Sequence, residues 1–161
     1  MINKQYVAGF LDGEGAVGIS VNKSTAGYPI PGLRVSFANF HLGVIQKIQR
    51  RWGGSISSNK NEVNILSLNG EGAYRLLVDI GSYTIIKRRP AELAIVFFEI
   101  PFVSPDENPP GYIKKLEAAL AVMYETRKGY KAERGTKMID TLEGAINHVF
   151  EHLKQAAPAT R

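Results

Sequence analysis

The chain has 161 residues, 44% of them hydrophobic, and 20 Lys and Arg against 15 Asp and Glu, which gives a formal net charge of +5. This length suits about one domain with its own core, and the hydrophobic fraction excludes a chain that is disordered throughout. Cysteine is absent, which excludes disulfides, thiolate metal sites and cysteine nucleophiles. The excess of basic residues favours a polyanionic partner such as nucleic acid.

The sequence also lacks the apolar segments that target or anchor a protein. No apolar run approaches the roughly 20 residues that a membrane helix needs, and no apolar secretion segment follows residues 1–5. We therefore expect a soluble protein with no membrane partner, inside the cell, in the cytoplasm or in an organelle. We expect residues 1–155 to form one domain and residues 156–161 a frayed tail.

The first elements in chain order are a helix and two strands. An apolar side through residues 6–11 favours an opening helix that ends at the glycines of residues 13–15. Residues 17–22 and 33–38 alternate apolar and polar side chains, the period of half-buried strands. The glycines and prolines of residues 27–32 predict a loop between those strands.

The same pattern of helix and two strands then repeats. Residues 45–52 have helical spacing, and two short strands over residues 55–58 and 63–68 flank a polar turn. Residues 73–80 form an amphipathic pattern with apolar positions at i, i+3, i+4 and i+7. The order predicts an α+β fold in which helices back a four-stranded antiparallel sheet.

Helices dominate the rest of the chain. Pro90 suits the first turn of a helix that continues to residue 98. Residues 101–110 predict a proline-rich loop, and residues 113–123 and 139–153 predict two further helices. We assign these C-terminal helices to packing and to flanking DNA contact.

Residues 7–15, VAGFLDGEG, place two acids and three glycines at the junction of the first helix and the first strand. Gly9 and Gly13 are four residues apart on one side of the helix, where small residues allow a second helix to approach closely. Asp12 and Glu14 are two apart and do not face the same way on a helix. We expect Glu14 to project toward a ligand and Asp12 to bond backbone groups near the helix ends.

This segment resembles the LAGLIDADG motif of the homing endonucleases, and the resemblance extends over roughly residues 5–98. It implies a LAGLIDADG-type αββαββα core with extra C-terminal helices. It further implies an enzyme that hydrolyses double-stranded DNA at a long pseudo-palindromic site and leaves 3′ overhangs. One motif copy is present, which in this family implies a homodimer whose motif helices meet. The dimer-interface positions of the helix are Ala8, Gly9, Asp12 and Gly13.

The resemblance also assigns roles to individual residues. It implies that Glu14 and the backbone carbonyl of Gly15 bind a divalent metal, Mg²⁺, and that Lys87 stabilises charge near the cleaved phosphate. Asn39 corresponds to a residue that places water, with His41 as an alternative. Candidate DNA contacts come from the polar sheet face, turns and basic segments, although a solvated sheet face explains the polar strand positions equally well. These candidates are Ser20, Asn22, Lys23, Tyr28, Arg34, Ser36, Ala38, His41, Lys60, Asn64, Arg88 and Arg89.

Three other interpretations compete with this one. A non-catalytic nucleic-acid binder on the same fold, an RNA maturase or a regulator, would share most of these features. Residues 148–152 spell H-x-x-E-H, which allows a zinc hydrolase, although a zinc site needs a third ligand and a stripe of surface residues explains the pattern. Residues 13–18 spell G-x-G-x-x-G, but the dinucleotide motif requires a strand before it and a helix after it, the reverse of the order predicted here.

Overall fold

The structure, a computed structural model, describes residues 1–127 and 133–156. Helices and strands follow one another in the predicted order, so the αββαββα core is confirmed. The bounds are α1 Lys4–Glu14, β1 Gly15–Lys23, β2 Pro29–Asn39, α2 Leu42–Trp52, β3 Ser55–Ser58, β4 Asn64–Asn69, α3 Glu71–Ile80, α4 Arg88–Glu99, α5 Pro109–Arg127 and α6 Glu133–Ala156. A short 3₁₀ turn at Gly81–Tyr83 joins α3 to the segment before α4.

All four strands form one antiparallel sheet in the order β1-β2-β4-β3. The register pairs Gly15 with Phe37 and Lys23 with Pro29, so the start of β1 and the end of β2 lie at the same end of the sheet. In β2 the odd-numbered residues from Pro29 to Phe37 are buried and all even-numbered ones are half-buried or exposed. This alternation gives the sheet one face in the core and one open face.

The core lies between the inner sheet face and the helices. Val35 and Phe37 of the sheet are fully buried, as are Leu11 of α1, Leu76 of α3 and Ala94 of α4. Each large apolar side chain buried in this way contributes roughly 1.5–3 kcal/mol relative to an exposed one. Among the described residues, no helix is long and apolar enough to cross a membrane.

Two predicted boundaries were wrong. The loop predicted for residues 27–32 is shorter, because β2 already begins at Pro29. Residues 29–33 of β2 pair with β1 alone, while pairing with β4 begins at Arg34. Prolines are tolerated there because one side of the strand needs no backbone donor. Helix α5 begins at Pro109, inside the predicted loop, since proline suits the first turn of a helix.

The frayed tail predicted for residues 156–161 falls mostly outside the described residues. Helix α6 includes residue 156, and residues 157–161 lie outside the described part of the chain. Before that point α6 packs along α5, with Ile139 and Leu142 buried. The C-terminal helices therefore extend the fold on the side of α5.

Candidate active site and nucleic-acid interface

Helix α1 is fixed by a cap at its start and by one buried side. The side-chain oxygen of Asn3 accepts hydrogen bonds from the backbone N–H groups of Gln5, at 2.8 Å, and Tyr6, at 3.2 Å. It thereby satisfies two donors that a helix start otherwise leaves unpaired. Val7 and Leu11, four residues apart, are fully buried. Burial of this side sets the rotation of the helix and turns the opposite side outward.

Helix α1 passes directly into β1 through a position where only glycine fits. A Cβ atom at Gly15 would lie 2.5 Å from Leu11 Cδ1 and 2.9 Å from the Leu11 carbonyl oxygen. The side chain of Glu14, the last helical residue, is exposed at this junction. Within residues 1–127 and 133–156, no hydrogen bond or ion pair engages its carboxylate. Glu14 is therefore free to bind a ligand.

The carboxylate of Asp12 ties the end of α1 to the segment before α4. Its Oδ2 accepts a hydrogen bond from the backbone N–H of Ile85 at 2.7 Å, and its Oδ1 accepts one from that of Lys87 at 2.9 Å. The Nζ of Lys87 donates in return to the Asp12 backbone carbonyl at 2.5 Å. Asp12 thus bonds backbone groups as its sequence position predicts, but those groups belong to a distant segment.

These bonds bring together residues that are far apart in the chain. Asp12, Glu14, Gly15 and Lys87 meet at one end of α1. Lys87 is half-buried there, and burial lowers the pKa of its ammonium group while the Asp12 charge partly opposes the shift. The site thus combines one exposed carboxylate with one cation held in a fixed position.

The outer side of α1 carries glycine. A Cβ atom at Gly9 or Gly13 would meet nothing within 4 Å, so both positions lie on open surface of this chain. Ala8 is fully buried. The expectation that Ala8 lies at a helix–helix interface was therefore wrong, because Ala8 and its neighbour Val7 both lie on the side of α1 that packs in the core.

Exposed apolar side chains surround this glycine surface, and sequence analysis missed them. Ile85 is 85% exposed and Ile86 74% exposed, and both follow the 3₁₀ turn that contacts α1. Tyr83 and Tyr6 are about half-exposed. Two adjacent isoleucines outside any helical or strand period are a local signal that could have identified them.

Asn39 ends β2 at the same end of the sheet as Glu14. It lies two residues beyond Phe37, the partner of Gly15. Its side-chain oxygen accepts a hydrogen bond from the backbone N–H of His41 at 2.9 Å, closing a turn before α2. The side-chain NH₂ group of Asn39 is therefore still available to donate a hydrogen bond. The exposed ring of His41 lies just before α2.

The open sheet face carries most of the strand residues proposed for DNA contact. Arg34 is exposed there, and its guanidinium donates to Ser67 Oγ at 3.1 Å. It is the only charged residue among the outward positions of the four strands, which otherwise carry small side chains, asparagine and the two isoleucines Ile30 and Ile65. The face thus offers a mostly polar surface with one cation. The proposed contacts on it are Ser20, Asn22, Arg34, Ser36 and Ala38.

Three proposed DNA contacts lie off this open face. Lys23 is at the end of β1 remote from Glu14. The ring of Tyr28 packs edge-on against Tyr112, with centroids 5.8 Å apart, so the structure gives it a packing role. The side chain of Asn64 donates to the Phe40 carbonyl at 3.0 Å and closes a local turn. Both side chains thus have partners within the chain, and their contact with DNA stays a prediction.

The remaining basic candidates are exposed. Lys60 lies in the turn between β3 and β4. Arg88 and Arg89, in the first turn of α4, both approach the carboxylate of Glu92, at 3.4 and 3.8 Å. Exposed pairs of this kind contribute at most about 1 kcal/mol, so both guanidinium groups can exchange this partner for a phosphate.

The structure shows which elements carry the two competing motifs. The G-x-G-x-x-G stretch spans the end of α1 and the start of β1, the order that a dinucleotide site does not use. His148 and His152 lie on α6, but no group of three His, Cys, Asp or Glu side chains within the described ranges could hold a metal ion. The described residues therefore contain no ligand set for a catalytic zinc.

Sequence comparison finds no matching family model and no matching curated protein. The structure, in contrast, resembles the homing endonuclease I-CvuI in complex with the I-CreI target, with a TM-score of 0.71 and 14% identity over 91% of this chain and 94% of that one. It resembles the archaeal intron-encoded I-Vdi141I complexed with DNA, with a TM-score of 0.67 and 14% identity over 88% and 95% of the two chains. It also resembles the LAGLIDADG homing endonuclease I-GzeII in complex with its DNA target. That match has a TM-score of 0.61 and 16% identity over 74% of this chain and 44% of that one. The chain has the LAGLIDADG homing-endonuclease fold.

The LAGLIDADG fold is matched at two scales. I-CvuI and I-Vdi141I are matched over nearly their whole lengths. I-GzeII is matched over 44% of its chain, so this chain spans about half of that protein. One copy of the chain therefore corresponds in size to a complete I-CvuI chain and to about half of I-GzeII.

Proposed function

We propose that this protein is a homodimeric endonuclease that uses Mg²⁺ to hydrolyse double-stranded DNA at a long pseudo-palindromic site, leaving 3′ overhangs. The observation that carries the proposal is the set of bonds between Asp12 and the segment of Lys87. These bonds hold a cation beside the exposed carboxylate of Glu14, at the end of a helix with a glycine surface. Each part of this arrangement has a role in phosphodiester cleavage.

A second copy of the chain supplies what one copy lacks. The surface at Gly9 and Gly13 lets another α1 approach closely, and the apolar side chains of Ile85 and Ile86 beside it favour burial. A two-fold axis through this surface pairs the two α1 helices and brings two Glu14 carboxylates together. The part of this chain that matches I-GzeII covers 44% of that protein, which leaves room there for a second unit of the same size.

The donor atoms suit magnesium. Mg²⁺ prefers oxygen ligands and binds through one or two carboxylates while it keeps several waters. Glu14 of each copy and the Gly15 carbonyl would hold it at the dimer axis. Bound there, Mg²⁺ supplies an activated water and offsets negative charge on the phosphate. In a single chain, no cluster of three His, Cys, Asp or Glu side chains occurs in the described ranges, so the second copy would supply the further carboxylate.

Lys87 stabilises the charge that develops on the attacked phosphate. An ammonium group has three donors, and the bond to the Asp12 carbonyl uses one of them. The other two remain for phosphate oxygens, and Asp12 fixes their direction through the backbone of Lys87. Donors fixed in this way stabilise a transition state without reorganisation. Asn39, at the same end of the sheet, would orient water through its amide group.

The open sheet face would lie against the DNA. Arg34 would reach a base edge, where a guanidinium pairs with guanine, and the exposed Lys60, Arg88 and Arg89 would contact phosphates. A dimer carries about +10, twice the charge of one chain, which favours a polyanion. I-CvuI and I-Vdi141I have the same fold and are in complex with DNA, which supports DNA as the partner.

Selection of cleaved sites from a random duplex library with Mg²⁺ tests the proposal. The native protein should enrich one pseudo-palindromic site. Glu14→Gln should bind that site and leave it uncut, whereas Glu117→Gln, a matched change at an exposed residue of α5, should cut at the native rate. Cleavage at the native rate by Glu14→Gln would exclude this residue as the metal ligand. Binding without cleavage by the native protein would instead indicate the non-catalytic nucleic-acid binder.

A further inference from the structure

The last helix carries two histidines whose rings meet. In α6 the Nε2 atoms of His148 and His152 lie 3.1 Å apart, and the ring planes are nearly perpendicular, at 85°. Both residues are exposed. Residues four apart on a helix face the same way, which places both rings on one side of α6.

We propose that His148 and His152 form a chelating site for one late first-row transition metal ion, Cu²⁺ in preference to Zn²⁺. Metal–imidazole bonds are about 2.0–2.1 Å long, so two nitrogen ligands at angles between about 90° and 110° stand roughly 2.9–3.4 Å apart. The separation of 3.1 Å between the Nε2 atoms lies within that range. The helix thus already holds both donors at the spacing that one ion requires.

No other described group forms a hydrogen bond with either ring. The carboxylate of Glu151, which lies between them in sequence, pairs with Lys154 at 2.9 Å. Within the described ranges, the hydrogen bond between the two Nε2 atoms is the only one that either ring makes. One ring donates in that bond and the other accepts. When the donor ring carries its proton on Nδ1 instead, both Nε2 atoms can bind a metal ion.

The chemistry of the donors selects the metal. Imidazole nitrogen binds copper, nickel and zinc, with copper strongest in the usual order of stability. Mg²⁺ prefers oxygen and an octahedral shell, so it should bind at Glu14 and leave the histidines empty. No third potential ligand side chain joins the pair within the described ranges. The ion would therefore keep water or take further ligands from outside, a poor arrangement for a protein-bound hydrolase.

Both histidines line a cavity of about 740 Å³ between α6, the turn before β2 and the loop before α5. Tyr28, Tyr112 and Pro105 also line it. The open positions of a bound ion would face this cavity. Since the ion links two successive turns of α6, it should also stabilise the end of that helix.

Titration of tag-free protein with Cu²⁺, Zn²⁺ and Mg²⁺ tests the site. The chain has three histidines, so His41→Ala provides a matched control. We expect one Cu²⁺ per chain, weaker Zn²⁺ binding and no Mg²⁺ at this site. His148→Ala and His152→Ala should each weaken Cu²⁺ binding at least tenfold, while His41→Ala and Glu14→Gln should leave it unchanged. The electron paramagnetic resonance spectrum should show two nitrogen ligands, and hydrogen exchange of residues 148–156 should slow when the ion binds.

Equal losses in His41→Ala, or retained binding when both His148 and His152 are replaced, would overturn the proposal. A spectrum with one nitrogen ligand would do the same. The native protein supplies an independent measurement, because Cu²⁺ should broaden the ring proton signals of two histidines and spare those of the third. The result does not depend on DNA cleavage, so failure here leaves the endonuclease proposal standing, and the reverse holds as well.

Discussion

The carboxylate of Asp12 accepts a hydrogen bond of 2.9 Å from the backbone N–H of Lys87, and the Lys87 ammonium group donates to the Asp12 carbonyl at 2.5 Å. These reciprocal bonds join residues that are 75 positions apart in sequence. They transmit the position of α1 to the start of α4, so the cation of the site moves with the helix that carries Glu14.

Replacement of Asp12 by Asn should separate stability from binding. The amide keeps one acceptor oxygen and turns an NH₂ group toward a backbone donor, which should lower the free energy of unfolding by about 1–3 kcal/mol. Lys87 should lose its fixed position, and cleavage should slow by about tenfold or more for a loss of at least 1.4 kcal/mol, with DNA affinity little changed. Urea unfolding and single-turnover cleavage measure the two effects. Asp106→Asn, at an exposed position, is the control, and equal effects in both variants would contradict the proposed role of Asp12.

Replacement of Gly9 by Leu should have opposite effects on the monomer and on the dimer. Nothing lies within 4 Å of a Cβ atom at Gly9, and leucine favours a helix over glycine by up to about 1 kcal/mol. The free energy of unfolding of the monomer should therefore hold or rise, while the bulky side chain should block the second α1 and abolish cleavage. Light scattering and chemical unfolding of dilute protein check both effects.

Replacement of Gly15, at the end of the same helix, should destabilise the monomer itself. A Cβ atom at Gly15 would lie 2.9 Å from the Leu11 carbonyl oxygen, so Gly15→Ala should destabilise the monomer by roughly 1–3 kcal/mol. A stable dimer of Gly9→Leu, or a Gly15→Ala protein as stable as the native one, would contradict this account of α1.

Arg34 and Arg88 should affect DNA recognition differently. Arg34 is the only charged residue among the outward positions of the sheet, so Arg34→Ala should cost about 1–3 kcal/mol at one base pair and relax the preference there. Arg88→Ala should weaken binding uniformly across sequences and reduce its salt dependence. Affinities for the selected site and its single-base variants, at two salt concentrations, distinguish the two. A uniform loss in Arg34→Ala would show that this side chain contacts phosphate only.

Lys115 should make stability depend on pH. It is buried against α4, where its Nζ donates to the carbonyls of Phe97, at 2.5 Å, and Ile100, at 2.6 Å. Burial lowers the pKa of Lys115 from 10.5 to about 8. Between these values the unfolded chain binds more protons than the folded one, so the free energy of unfolding should rise with pH, by at most about 1.4 kcal/mol per unit.

The comparison that isolates this effect uses Lys115→Met. Urea unfolding of the native protein and the variant at pH 7.5, 9 and 10 should show the native protein gaining stability relative to the variant as pH rises from about 8 to about 10.5. Other titrating groups are common to both proteins and cancel in the difference. A constant difference across this range would show that the pKa of Lys115 is close to its ordinary value.

The sequence by itself determined the order of the elements and the segment that carries the site. The alternation in residues 17–22 and the helical spacing in residues 73–80 are local patterns, and the elements of the core follow one another in the predicted order, although β2 begins at Pro29 and not at residue 33. The acid-and-glycine junction at residues 12–15 is equally local, since a helix must end there before the strand begins. Sequence reasoning could also separate Asp12 from Glu14, because neighbours two apart on a helix face different ways.

Only the tertiary structure decided what these residues touch. Contacts between elements that are remote in the chain include the bond from Asp12 to the Lys87 segment and the packing of Tyr28 on Tyr112. The burial of Ala8 likewise depends on the elements that cover α1. Periodicity records which side of an element is apolar, but it does not record which other element covers that side. The packing of the helices on the sheet determines which residues contact each other. A buried polar group forms its hydrogen bond with whichever partner this packing places beside it.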